Sequence, residues 1–167
     1  MDELTTPPKA SGEKDKQVYC CDLQGNLLPF SRTQLRFSPA VYGVLIENNR
    51  ILLQVEPISQ LYSPPGGRVA AEQTPAQAIR QHFRAATGIT PEVGQLLLIQ
   101  DEYRVDEHRQ PWHLAVMYFA LTRPSVGRSS LIDFDSPAKP EWLALEHLTR
   151  PQLLFGYDAI QAVPPQP

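Results

Sequence analysis

The chain has 167 residues, a net charge of -3 and a pI near 5.8, enough for one domain with a sizeable core and too short for two. The acidic balance gives no electrostatic case for a nucleic-acid partner, which usually shows a basic patch, and no apolar run reaches the roughly 20 residues of a membrane span. The adjacent cysteines Cys20 and Cys21 would point to opposite faces of a strand, which fits neither a disulfide framework nor a zinc site and suits a reducing cytoplasm.

Residues 1–16 are polar and lack aromatic residues, so a disordered tail is expected there rather than a signal peptide. Residues 18–23 and 27–30 flank Gln24-Gly25-Asn26 and predict an N-terminal β-hairpin at an edge of the main sheet. Residues 40–47 and 51–56, rich in β-branched side chains, flank Asn48-Asn49-Arg50 and predict a second hairpin whose turn tolerates positive φ. A loop with Pro57 and Tyr62 leads into residues 63–90. After these, residues 93–103 read as a strand that turns acidic at its end, and residues 105–111 as a polar loop. The near-continuous apolar run at 112–122 reads as a central strand. A Pro/Ser/Gly loop over 124–140, a short strand at 141–145 and an amphipathic helix over 151–162 complete a domain spanning 17–163, with a tail at 164–167. Helices on a mixed sheet make this an α+β chain.

The stretch over 63–90, SPPGGRVAAEQTPAQAIRQHFRAATGIT, organises the rest. Pro65 and the pair Gly66-Gly67 predict a sharp turn with φ > 0 and backbone bare enough to approach a ligand. Thr74 is an N-cap, Pro75 suits the first helical position, Gln77 completes a capping box and Gly88 supplies a left-handed stop. Ala76, Ile79, Phe83 and Ala86 share a face at helical spacing, so the helix packs through that side.

This proline-glycine-glycine loop, capped helix and closing Thr87-Gly88-Ile89 resemble the Nudix hydrolase signature, G-x5-E-x7-R-E-U-x-E-E-x-G-U with U bulky and apolar. The resemblance extends over about residues 38–148 and implies a Nudix-like α/β/α sandwich. Aligned from Gly67, the structural positions hold at Gly67, Phe83, Gly88 and Ile89. The polar positions do not: Gln73, Gln81, His82, Ala85 and Ala86 stand where the family has glutamate, arginine and three glutamates. By resemblance, the carboxylates at 82, 85 and 86 hold Mg²⁺, which takes oxygen ligands; an imidazole and two methyl groups do not replace them. Gln73 and Gln81 can hydrogen-bond where the family's glutamate and arginine pair.

The expectation is therefore a domain without Mg²⁺-dependent pyrophosphohydrolase activity, no catalytic residues in the box and no metal cofactor, acting as a nucleotide-derivative-binding or regulatory module. Its ligand would carry phosphate, met by Gly66, Gly67, Arg68, the helix start at Thr74, and Tyr62. An alternative is an active hydrolase that holds Mg²⁺ or Mn²⁺ with the relocated carboxylates Glu72, Asp101 and Glu102. A second alternative is a protein-interaction domain with a collapsed cleft. Asp106 and Glu107 read as solvated loop charges, Arg80 and Arg84 as surface charges. His82 reads as packed and hydrogen-bonded, and His108, His113 and His147 share no spacing with it. Tyr62, Tyr103 and Trp112 are either core or base-stacking aromatics. Oligomeric state is not readable from these residues.

Overall fold

The computed structural model describes residues 16–124 and 139–165. Most of the expected N-terminal tail, residues 166–167 of the expected C-terminal tail and most of the 124–140 loop lie outside them. Asn48 and Asn49, at φ 50° and 60°, make the tight turn between β3 (Arg36–Glu47) and β4 (Arg50–Val55); both residues tolerate left-handed backbone that suits a twisted hairpin. Strand β3 begins four residues before the apolar run at 40–47. Residues 36–45 pair in parallel with β8 (Pro111–Thr122), from Arg36 opposite Trp112 to Leu45 opposite Leu121. That ladder carries the strand past the point where its own pattern weakens.

The N-terminal hairpin, β1 (Gln17–Cys21) with β2 (Leu27–Ser31), forms an edge of the sheet as expected. Two short strands, β5 (Tyr62–Ser63) and β6 (Gly66–Arg68), precede helix α1 (Pro75–Thr87). Strand β7 (Glu92–Val105) then pairs antiparallel with β8, and β9 (Pro140–Ala144) pairs with β4. The strands run β2-β1-β7-β8-β3-β4-β5, with β6 added to β3 and β9 to β4, so the apolar strand β8 is central.

Successive strand residues face opposite sides, and two cores follow. On one face Val41, Leu45, Leu52 and Leu121 pack against Ile79 and Phe83 of α1. On the other, Tyr42, Val116 and Tyr118 pack against Phe155 and Ala159 of the C-terminal segment. The helix face comprises Ala78, Ile79, Phe83, Ala86 and Thr87; Ala76 is half-buried beside it.

The single helix expected over 151–162 does not form. Residues 150–152 make one 3-10 turn, residues 153–156 are a bridge residue, two bends and a left-handed glycine, and α2 covers only Tyr157–Gln161. Gly156 is the reason: its φ is +94°, and a Cβ there would lie 2.7 Å from Pro64 Cγ. Gly156→Ala should therefore cost about 2 kcal/mol or more, from left-handed strain plus the clash. Gly25→Ala sits at a similar φ with only a 3.3 Å contact to Leu61 and should cost less. Urea denaturation of both variants tests the ordering.

The polar loop before β8 is held by Asp106, whose carboxylate accepts from Trp112 Nε1, His108 N and Gln110 N, each at 2.9 Å. Burial pushes this carboxyl up, and the donors from Trp112, Gln110 and His108 outweigh that and hold it below the usual range. A depressed folded value gives stability above the unfolded pKa of about 4 that is lost as pH falls through the folded value. In acid titrations, Asp106→Asn should be less stable than the wild type at pH 7, with the gap closing below about pH 4.

Candidate functional site

The capped helix is built as its sequence implies. Thr74 Oγ1 accepts from Gln77 N at 3.2 Å, and Gln77 Oε1 accepts from Thr74 N at 2.9 Å. Gly88 ends the helix at φ 76°. The glycine pair works differently from the expectation. Neither Gly66 nor Gly67 has positive φ; both lie in β6, paired with Tyr42 and Val41 of β3. What they supply is close approach: a Cβ on Gly66 would lie 2.1 Å from Val41 O, and one on Gly67 would lie 2.6 Å from the His82 ring.

His82 thus stands over the strand, and its Nε2 lies 2.8 Å from Arg68 O. The carbonyl can only accept, so Nε2 carries the proton. Gln73 Nε2–H donates to Gln81 Oε1, and Gln73 Oε1 accepts from Ala70 N at 3.2 Å. Two neutral amides tie loop to helix where the resemblance places an ion pair. Ala85 is exposed, while Ala86 is buried in the helix face. An imidazole committed to a carbonyl and two methyl groups offer no oxygen to a hard divalent cation, so these residues do not fit Mg²⁺.

The relocated carboxylates are not brought together. Asp101 and Glu102 are consecutive in β7 and point to opposite faces. Asp101 is exposed and accepts from His113 Nε2 at 2.8 Å, whereas Glu72 lies exposed in the loop before α1. Among the described residues no three His, Cys, Asp or Glu side chains are grouped to hold a metal ion. The ligand set proposed from sequence is also scattered. Tyr62 donates to Glu141 at 3.0 Å, the Arg68 guanidinium sits 4.0 Å over the Trp112 ring, and the Thr74 hydroxyl is taken by its own cap. Tyr103 stacks on His113 at 4.8 Å rather than standing free.

A cleft of about 390 Å³ opens instead on the far face of the sheet, between β7 and the C-terminal segment. Its floor is a network centred on Glu102. Glu102 accepts from Tyr118 Oη at 2.5 Å, from Gln100 Nε2 and Arg104 Nε at 2.7 Å, and again from Arg104 through Nη2. Arg104 also donates to Tyr42 Oη at 3.0 Å and lies 3.4 Å over the Phe155 ring. Burial opposes the Arg104 charge, and Tyr42, Glu102 and Tyr118 outweigh it, so the guanidinium is held charged. Burial and the Glu102 carboxylate push the Tyr118 phenol far above its ordinary range. At the rim, Arg150 pairs with Asp158 at 2.6 Å over the Tyr157 ring. Sequence reading missed this cleft, though Gln100-x-Glu102-x-Arg104 places three polar residues at alternate positions of β7.

The fold is shared with a solved structure. The fold matches a MutT NUDIX hydrolase from Burkholderia pseudomallei with a TM-score of 0.53 and 21% identity, over 77% of this chain and 99% of that one. The chain has the Nudix fold. A MutT protein from Methanosarcina mazei Go1 aligns at a TM-score of 0.49 and 17% identity, over 68% of this chain and 80% of that one. In sequence, the chain is 29% identical over 82 residues to YjhB of Bacillus subtilis (strain 168), a candidate ADP-ribose pyrophosphatase. That match covers 49% of this chain and 39% of YjhB, so the chain spans well under half of that relative. No family model matches. Among the described residues, no helix is long and apolar enough to cross a membrane.

Proposed function

We propose that this Nudix-fold domain binds a phosphate-containing nucleotide derivative and does not carry out Mg²⁺-dependent pyrophosphohydrolysis. The reading rests on the helix flank of the box. His82 bonds to the Arg68 carbonyl, Gln73 bonds to Gln81, and Ala85 and Ala86 present methyl groups. Charge on a pyrophosphate must be neutralised before it is cleaved, commonly by metal ions held on carboxylates, and this flank supplies none. The nucleotide class comes from the names of the similar proteins, a NUDIX hydrolase and a candidate ADP-ribose pyrophosphatase.

The test is direct. The protein is incubated with ADP-ribose and with nucleoside triphosphates in Mg²⁺, in Mn²⁺ and in chelator, while thermal melts with the same compounds report binding. No metal-dependent product and a metal-independent rise in melting temperature are expected. A turnover abolished by chelator and by Glu72→Gln or Asp101→Asn would establish a relocated metal site and remove this reading. Absence of stabilisation by any nucleotide would favour a protein-interaction domain instead.

A further inference from the structure

We propose that the part of the sheet face beside α1 that the helix leaves uncovered docks a second copy of this chain, face to face about a twofold axis.

Strand register locates this surface. Met117 of β8 lies opposite Val41 of β3, which packs against α1, so cross-strand neighbours of Met117 share the helix's side of the sheet. Beyond the helix, that side carries Leu96 opposite Phe119, Ile99 opposite Met117, and Asp101 opposite Ala115. Its last row is Tyr103, His113 and Phe37, from β7, β8 and β3 in turn. Large apolar side chains stand open there: Ile99 is 60% exposed, Phe37 63% and Leu96 44%. Val18 of β1 borders the same hollow as Phe37 and Tyr103. From Leu96 to Tyr103 is about 23 Å of strand, and from β1 to β3 about 14 Å of sheet. An apolar patch of roughly 300 Å² or more is of the size that is often functional on a soluble protein.

The order of groups along the patch decides the occupant. One apolar end holds Leu96, Ile99 and Met117, and the other holds Phe37 and Tyr103. Between them His113 Nε2 lies 2.8 Å from Asp101 Oδ1. Apolar, polar pair, apolar is a pattern symmetric about its own centre. A twofold axis at the pair lays each apolar end on the opposite end of the other copy, as an isologous interface requires. The same axis sets each Asp101 carboxylate beside the imidazole of the other copy, so the polar groups that meet are complementary. A strongly charged partner gains little from a patch whose carboxylate is already hydrogen-bonded. The chain itself is the surface that matches.

The experiment is sedimentation equilibrium on the full chain over about 1–500 μM, a range that suits an interface at the small end of specific sizes. The mass should rise from 18.8 kDa toward twice that value and stop there. Ile99→Lys and Phe37→Lys, at the two ends of the patch, should each raise the dissociation constant about tenfold or more. Both side chains are exposed, so the melting temperature should stay within about two degrees of the wild type. Asp101→Lys, which sets like charges against each other at the axis, should weaken the dimer as well. Ile58→Lys, 71% exposed in the loop between β4 and β5, should leave it unchanged. A mass that stays at 18.8 kDa throughout overturns the proposal and leaves the face to a different protein. A mass that climbs past two copies overturns the twofold arrangement. A dimer that ignores both Ile99→Lys and Phe37→Lys, or that Ile58→Lys weakens equally, overturns this face as its interface.

Discussion

Glu102→Ala is expected to destabilise the fold by about 3–5 kcal/mol, the range for removing one partner of a buried ion pair. The substitution leaves the Arg104 guanidinium and the Tyr118 hydroxyl without their acceptor in a place where both are mostly out of water. Tyr118→Phe removes one donor from a carboxylate that keeps three, and should cost about 1 kcal/mol. Equilibrium urea denaturation ranks them. A Glu102→Ala protein as stable as the wild type to within half a kilocalorie, on the order of a neutral surface change, would show that the network does not hold β7 to the C-terminal segment. A carboxylate kept for catalysis predicts the opposite pattern, lost turnover with stability retained or increased.

The triple variant His82→Glu, Ala85→Glu, Ala86→Glu should be less stable than the wild type without metal, by roughly 3 kcal/mol or more. Three causes add. The His82 bond to Arg68 O is lost, three like charges crowd one flank, and position 86 lies in the buried helix face. Burial and mutual repulsion raise carboxyl pKa values. A raised folded value means the variant is least penalised below about pH 4 and loses stability as pH rises through the folded value. A divalent ion bound only by the folded form should restore about 2.7 kcal/mol at a hundred times its dissociation constant. Melts of both proteins with and without Mg²⁺ decide the matter. If the wild type gains as much from the ion as the variant, it already holds a metal, and the account of this helix fails.

Features governed by local chemistry were legible in the sequence. Thr74, Pro75, Gln77 and Gly88 fixed α1 because capping is decided within one turn of a helix. The hydrogen bond between Gln73 and Gln81 was readable because the resemblance set the two positions against each other. Gly66 and Gly67 were misjudged because a missing Cβ serves two ends, positive φ or close approach, and only the partner strand reveals which. The C-terminal helix was lost at Gly156, where an amphipathic pattern continues across a residue whose left-handed backbone and close approach to Pro64 suit glycine. The cleft was invisible for another reason: Arg104 and Phe155, far apart in sequence, meet only in the folded chain.

The Gly156 contact also bears on how the C-terminal segment is fastened to the loop before the glycine pair. Leu154 N donates to Tyr62 O at 2.9 Å, Leu153 bridges Tyr62, and Gly156 is seated against the Pro64 ring. The wall of the far cleft is thereby fastened to residues 62–64, two positions before the glycine pair under His82. A substitution that shifts residues 153–156 has therefore to be accommodated at residues 62–64 or break the Leu154–Tyr62 hydrogen bond.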